Sequence, residues 1–265
     1  MEKDKEQTVY IINQGDGMDS VQVWQAYAMC ALSIMLMLAI RSVVTKFGKP
    51  KTLKDGVSFW KWRNILISWI HAVIVGTWDF LCLWWYPDLF QDPVFYINNV
   101  MYLMVPFSIG YFLYDLYDMM TNEQKLIDWE IVLHHVLLST VMIYSWTNKL
   151  CIAYSVILLT SEINSIFLHL RKLLQFTKVN FNSWLYQLVA MLNLFTFITC
   201  RLFPQSRLMF GFYTDGHRIS KSYFILLLLT YPIGFVINIV LFWRILKSDV
   251  LRRLKGNDKL LNKME

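Results

Sequence analysis

Long apolar segments separated by short polar ones leave this sequence few ways to fold. A helix needs about 20 predominantly apolar residues to cross the hydrocarbon core of a bilayer, and several segments approach that length. Hydrophobic residues make up 56% of the chain and charged residues only 17%. We therefore expect an all-α protein, a polytopic transmembrane helical bundle of about seven spans, over residues 21–40, 64–86, 95–119, 128–146, 150–170, 184–203 and 223–246.

Basic residues cluster beside some of these segments and are scarce beside others. Between residues 41 and 63 the only acid is Asp55, and the basic residues are Arg41, Lys46, Lys49, Lys51, Lys54, Lys61 and Arg63. Because positive loops resist translocation, this stretch and the basic tail should be cytoplasmic, with the N-terminus outside. The net charge of +6 is thus mostly juxtamembrane. We expect phospholipids with anionic headgroups as partners at 41–63 and 244–263, and no nucleic acid. No sequence feature identifies a protein partner.

The chain divides into four parts. Residues 1–20 are polar and acidic and predict a mobile tail, 21–40 predict a first anchor helix, 41–247 hold the remaining spans, and 248–265 predict a basic cytoplasmic tail. The cysteines show neither disulfide nor metal-ligand spacing, so we expect buried thiols, no metal site and no resident cofactor. They are Cys30, Cys82, Cys151 and Cys200.

The fourth apolar segment contains two adjacent histidines, His134 and His135, with Glu130 one turn before them. Ionisable groups at membrane depth are costly and therefore rare. Glu130 and His134 are four residues apart and share a helix face, whereas His135 is turned about 100° away. The functional interpretation is a site for protons or lipid headgroups inside the bundle. The structural alternative is that each imidazole ties its helix to a neighbour.

Polar side chains in three further segments recur at helical spacing, so each set occupies one helix face. The sets are Asn64, Ser68, His71 and Asp79; Ser108, Tyr111, Tyr114, Asp115 and Asp118; and Ser155, Glu162 and His169. Gly76, close to the first set, would let a neighbouring helix approach. We expect these faces to line a lipid-binding cavity, or, as the alternative, to hydrogen-bond the helices together. The expected lining residues are His71, Tyr111, Tyr114, Asp115, Asp118, Glu130, Ser155, Glu162 and His169.

The polar residues also form a recognisable pattern. Its elements are Arg63-Asn64, His71, Gly76, Gly110-Tyr111-Phe112, Asp115, Trp129-Glu130, His134-His135, Glu162 and Phe167-Leu168. In order and spacing this pattern resembles the TLC domain, which ceramide synthases and translocating-chain-associated proteins share. The resemblance runs from about Phe59 to Lys247, and within the family it is greatest to the subgroup of TLC domain-containing proteins 1 and 2. It implies a TLC-type helical membrane protein that acts on lipid composition.

The resemblance implies two different roles. In ceramide synthases the paired histidines serve acyl transfer from acyl-CoA to a long-chain base, a role that would fall to His134 and His135. Those enzymes also place a His-Asp pair and a further Asp in the next helix, where this chain has Ser161, Glu162 and Ser165. Two of the three acid–base groups are absent, which argues against ceramide synthesis. The resembled subgroup instead implies regulation of phospholipid acyl composition at the plasma membrane, limiting the incorporation of polyunsaturated, membrane-fluidising acyl chains.

Three functions therefore stand beside each other. The first is regulation of phospholipid acyl composition and membrane fluidity, with the plasma membrane as the expected location and the endoplasmic reticulum as the alternative. The second is an acyltransferase with acyl-CoA as co-substrate, in which His134 or His135 is the base or nucleophile and Glu130 or Glu162 orients the ring. The third is a non-catalytic membrane scaffold or chaperone.

Overall fold

The helical prediction is confirmed by the computed structural model, which describes residues 21–48, 50, 53, 56–122 and 129–251. Within these residues the regular secondary structure is helical, without strands. The α-helices are α1 (Val23–Phe47), α2 (Gly56–Trp85), α3 (Asn99–Thr121), α4 (Trp129–Asn148), α5 (Ile152–Leu159), α6 (Ser161–Phe176), α7 (Trp184–Phe197), α8 (Phe203–Asp215) and α9 (Lys221–Leu246). The predicted tail 1–20 and residues 252–265 of the predicted basic tail lie outside the described residues.

Six spans in the described part of the chain have the length and apolar composition to cross a membrane. They are Val23–Phe47, Gly56–Trp85, Asn99–Thr121, Ile152–Phe176, Trp184–Arg218 and Lys221–Asp249. The predicted span that is missing from these six is the fourth, which corresponds to α4, whose 20 residues reach about 30 Å at 1.5 Å per residue. It is not among the six, because Glu130, His134 and His135 make its composition more polar than that of the six spans.

The sixth predicted span ends later than expected. The sequence indicated a helix end near residue 203, but a π-helical turn, Ile198–Leu202, leads directly into α8. Pro204 lies in the first turn of α8, directly after the π-helical turn, and the helix continues through it to Asp215.

Two glycines allow helices to approach closely. A Cβ atom on Gly110 of α3 would lie 2.5 Å from the carbonyl oxygen of Cys30 and 2.6 Å from the Cβ of Ser33, both on α1. A Cβ atom on Gly76 of α2 would lie 3.2 Å from the carbonyl oxygen of Glu162 on α6. Small residues at such contacts are what membrane helices use to pack closely. The close approach predicted from Gly76 is therefore present, and it brings α2 against the carboxylate-bearing end of α6.

Candidate functional site

Five of the predicted residues meet between α2, α3, α4 and α6, and we call them the central cluster: His71, Tyr111, Asp115, His135 and Glu162. Nδ1 of His71 lies 3.7 Å from Oε2 of Glu162, and Nδ1 of His135 lies 3.2 Å from Oδ2 of Asp115. The Tyr111 ring stacks on the His71 ring with 3.8 Å between centroids, and it meets the His135 ring edge-on at 6.1 Å. Two imidazole–carboxylate pairs thus flank one tyrosine.

The central cluster is shielded from its surroundings. His71 is fully buried, and Asp115 and His135 retain 3% and 8% of their exposure. Neither ring nitrogen of His71 has a hydrogen-bond partner within the described part of the protein, and Nδ1 of His135 meets Asp115 at ion-pair distance without hydrogen-bond geometry. Since buried polar groups are normally hydrogen-bonded, these nitrogens retain the capacity to bind a polar group or a proton.

The two adjacent histidines face different surroundings, as their spacing on the helix predicts. His135 stacks on Phe112 at 4.9 Å within the central cluster. His134 instead lines a second feature, which we call the apolar cleft, bounded by α4, α5, α8 and α9. The space between its walls, counted out to the surrounding solvent, is about 780 Å³, and the walls include Leu137, Leu138, Leu158, Leu208, Phe212 and Leu227.

Polar groups lie at one end of the apolar cleft. Ser155 lines its wall, although its hydroxyl donates to the backbone oxygen of Cys151 at 3.2 Å. Asp215 accepts a hydrogen bond from the Tyr154 hydroxyl and another from Arg218 at 3.2 Å. The cleft is therefore apolar along most of its length, with a carboxylate at one end and an imidazole in its wall.

Asp118 occupies a different position from the central cluster. It is fully buried and lies 3.2 Å from both Arg41 Nε and Arg63 Nη2 through the same oxygen, Oδ1. Its second oxygen accepts from Trp60 Nε1 at 2.9 Å. Asp118 thereby joins α1, α2 and α3 at one end of the bundle, and these contacts indicate a structural role.

The remaining predicted residues divide in the same way. Glu130 pairs with Arg244 through two hydrogen bonds, at 2.7 and 3.0 Å, and so connects α4 to α9 away from the central cluster. Tyr114 is buried near Asp118, and its hydroxyl has no hydrogen-bond partner among the described residues. His169 is partly buried on the face of α6 that also carries Glu162. The carboxylate beside His135 is Asp115, whereas the sequence had indicated Glu130 or Glu162 for orienting a catalytic imidazole.

Comparison with known proteins settles the family. Residues 61–247 match the TLC domain, which is more than half of the chain. This chain belongs to the TLC domain family. It is 32% identical to TLC domain-containing protein 2 of Danio rerio over 214 residues, covering 78% of this chain and 83% of that protein. It is 30% identical to TLC domain-containing protein 1 of Mus musculus over 213 residues, covering 80% and 85%. No solved structure matches the chain.

The predicted resemblance is therefore confirmed, and with six apolar spans the chain is a multi-pass membrane protein. The matched TLC domain contains the whole central cluster and the apolar cleft. Helix α1 precedes the matched residues, yet it packs on the domain through Gly110 and contributes Arg41 to the contact with Asp118.

Arg201 is a buried group of the TLC domain that the sequence analysis did not include among the site residues. It lies in the π-helical turn, is only 6% exposed, and donates to Asn164 Oδ1 at 3.1 Å and to Asn238 Oδ1 at 2.9 Å. Its Nη2 donates to the Ser165 hydroxyl at 2.9 Å. The signal was present in the sequence, since an arginine inside an apolar span needs partners. Arg201 links α6, α7 and α9 beside Glu162.

Asp79 is a second buried ionisable group outside the predicted set, although it lies on the polar face of α2. It is fully buried, and neither of its carboxyl oxygens has a hydrogen-bond partner among the described residues.

Among the described residues, no group of three His, Cys, Asp or Glu side chains is arranged to hold a metal ion. The chemistry available in the central cluster is that of imidazoles oriented by carboxylates, which suits proton transfer.

Proposed function

We propose that this protein regulates the acyl composition of membrane phospholipids and thereby membrane fluidity, by binding an acyl chain in the apolar cleft. The observation that carries the proposal is the lining of that cleft, which opens to the surroundings and has apolar walls from α4, α5, α8 and α9. Transfer of each methylene from water to such surroundings contributes about 0.8 kcal/mol. For an acyl chain that already lies in a bilayer, the free energy gained on entering the cleft is smaller. The shape of the chain, rather than burial alone, would then decide which chains enter.

The proposal takes up the direction that the family resemblance implies, namely that incorporation of polyunsaturated, membrane-fluidising chains is limited. Supporting it, the cleft has helical walls and polar groups in defined places, His134 along the wall and Asp215 at one end. A chain with several cis double bonds is bent, whereas a saturated chain is straight when extended. A walled cleft of fixed shape can distinguish the two, as small-molecule sites do through preformed shape. The proposed location is the plasma membrane, with the endoplasmic reticulum as the alternative.

A second candidate function, acyl-CoA-dependent acyl transfer, is favoured by one observation: the contact of 3.2 Å between His135 Nδ1 and Asp115 Oδ2. In that function an imidazole takes the proton of an acceptor hydroxyl or amine as it attacks the thioester carbonyl. The new ester or amide bond forms, the C–S bond breaks, and the proton leaves with the CoA thiolate as free thiol. His134, which faces the cleft, would contact the acyl group, and Asp115 would orient His135.

The first experiment is a phospholipid profile, sorted by acyl unsaturation, of cells that lack the protein and of the same cells after rescue. Rescue uses the wild type, a His134→Ala/His135→Ala double variant and Leu158→Trp, which places an indole in the cleft wall. Leu188→Trp is the matched control, because Leu188 is 39% exposed on the outer surface of α7. We expect the deletion to raise polyunsaturated phospholipids, and we expect rescue by the wild type and by Leu188→Trp but not by Leu158→Trp.

A second experiment separates the regulator from the enzyme. Purified protein in lipid is given labelled acyl-CoA and a mixture of acceptor lipids, and label transfer is followed. Transfer that the histidine double variant loses while still reaching the membrane would favour the acyltransferase. An altered lipid profile without transfer would favour the regulator. If both Leu158→Trp and the double variant behave as the wild type in both experiments, neither site is used, and a non-catalytic scaffold remains.

A further inference from the structure

A second cleft lies between the ends of α1 and α2 that the charge pattern predicts to be cytoplasmic. We call it the basic cleft. It is open to the surroundings and is lined by Leu38, Arg41, Ser42, Thr45, Lys46 and Arg63. Three of these six side chains are cationic. The first five belong to α1, outside the matched TLC domain, so the site exists only where α1 meets that domain.

The charges around the basic cleft do not balance. The carboxylate that contacts its cations is Asp118, and a single oxygen of that group meets both Arg41 and Arg63 at 3.2 Å. Asp118 is fully buried and is further held by Trp60. Three positive charges therefore face one negative charge among the described residues. This excess of positive charge can be compensated by an anionic ligand.

The donors that remain open point to the kind of anion. Arg63 uses Nη2 on Asp118 and Nη1 on the Thr45 hydroxyl, at 3.1 Å, so its position is fixed. Arg41 meets Asp118 through Nε, which leaves its terminal nitrogens without a hydrogen bond to the described residues. Lys46 Nζ also makes no hydrogen bond to the described residues, and it lies 5.4 Å from the centroid of the Phe47 ring. Arg41 is 28% exposed at its side chain and Arg63 only 8%. A guanidinium fork with free nitrogens beside an ammonium group is a phosphate-binding arrangement.

We infer that the basic cleft binds a phosphate group carried by an amphipathic ligand. The cleft lies at headgroup depth, because Trp60, hydrogen-bonded to Asp118, belongs to the aromatic residues that favour the membrane interface. Leu38, one turn deeper on α1, supplies apolar contact below the cations. The phosphate has two chemical sources, an anionic lipid headgroup and the phosphates of coenzyme A. The inference does not rest on the function proposed above.

The test measures binding of two probes to the full chain in detergent micelles: a fluorescent short-chain phosphatidylinositol bisphosphate and, separately, coenzyme A. Lys46→Gln removes one cation, and Ser42→Glu introduces a negative charge, and neither residue contacts Asp118. Arg41→Gln is added as a third variant, although it also alters the Asp118 contact. The matched control is Lys221→Gln, an exposed lysine at the first residue of α9, at the opposite end of the bundle.

We expect at least one probe to bind, with affinity about tenfold weaker in Lys46→Gln and weaker still in Ser42→Glu, and unchanged in Lys221→Gln. Binding should also weaken with added salt, as phosphate contacts do at partly exposed cations. Binding of the lipid probe alone identifies a lipid headgroup as the source of the phosphate, and binding of coenzyme A alone identifies coenzyme A as that source. The inference is overturned if neither probe binds, or if Lys221→Gln weakens binding as much as Lys46→Gln.

Discussion

Asp115 joins His135 to a second helix: Oδ2 lies 3.2 Å from His135 Nδ1 on α4, while Oδ1 accepts from Asn64 Nδ2 on α2 at 2.6 Å. One carboxylate on α3 thus positions groups on both neighbouring helices. The two oxygens of Asp115 therefore have two different roles, and substitutions of Asp115 can distinguish them. The contact with Asn64 stabilises packing, and the contact with His135 orients an imidazole beside the central tyrosine.

We predict that Asp115→Asn folds nearly as well as the wild type but loses function, whereas Asp115→Ala is clearly destabilised. The amide keeps an acceptor for Asn64 and gains a donor for His135, so the packing contacts survive. The methyl group removes the acceptor 2.6 Å from the Asn64 amide, and a polar group left unsatisfied there costs about 1–3 kcal/mol. Thermal unfolding in detergent gives the stability, and the lipid profile after rescue gives the function. Equal loss of stability in both variants would mean that the carboxylate is needed for folding alone.

We predict that Gly110→Ala weakens the packing of α1 on α3. The added methyl would lie 2.5 Å from the Cys30 carbonyl oxygen, closer than atoms tolerate, so the helices must separate at a cost of about 1–3 kcal/mol. Gly234→Ala in α9 is the control, because a Cβ atom there meets nothing within 4 Å. Alanine is also about 1 kcal/mol better than glycine in a helix interior, so the control should not be destabilised. The measurement is the thermal unfolding of both variants in detergent, and equal stability of the two would contradict the prediction.

Helix faces could be predicted from the sequence, but helix neighbours could not. The spacing of Glu162 and His169 on one face, and the turn between His134 and His135, follow from helical geometry alone. That Glu162 meets His71, rather than His134, depends on the close approach that Gly76 permits. A one-dimensional pattern contains no information on which face of one helix opposes which face of another.

Two pairings show the same limit. Glu130 was expected in the cavity because it shares a face with His134, yet it is bound by Arg244, 114 residues later in the chain. Arg201 lies in a π-helical turn and has its partners, Asn164 and Asn238, on two other helices. The periodicity of the sequence indicates neither the pairing of Glu130 with Arg244 nor the π-helical turn that contains Arg201.

We predict that Arg171 and Asp249 stabilise the fold far more than Glu130 and Arg244. Arg244 lies in the last turn of α9, and Asp249 lies in the π-helical turn, Lys247–Leu251, that follows it. Arg171 Nε and Nη2 each donate to Asp249 at 2.6 Å, and the two side chains are 4% and 5% exposed. Asp249→Ala leaves a buried guanidinium unpaired, which costs about 3–5 kcal/mol. Glu130→Ala removes a pair that is 24% and 60% exposed, which contributes about 0–1 kcal/mol.

A double-mutant cycle checks the difference between these two pairs. If Arg171 and Asp249 act as a buried pair, the Arg171→Met/Asp249→Leu variant should be more stable than either single variant, because no unpaired charge remains. The matching cycle on Glu130 and Arg244 should show additive, small effects. Additivity in the Arg171–Asp249 cycle would mean that each side chain contributes independently of the other.

We predict that Asp79→Asn is as stable as the wild type or more so, in contrast to Asp118→Asn. Asp79 is fully buried in α2, and neither oxygen has a partner in the described part of the chain, so an ionised carboxylate there would be an uncompensated charge. Asparagine keeps the shape and removes that possibility. Asp118→Asn is the matched control, since Asp118 accepts from Trp60 and contacts two arginines, and its loss should lower the unfolding temperature. A destabilised Asp79→Asn with normal Asp118→Asn would show that the buried carboxyl of α2, rather than that of α3, holds the bundle together.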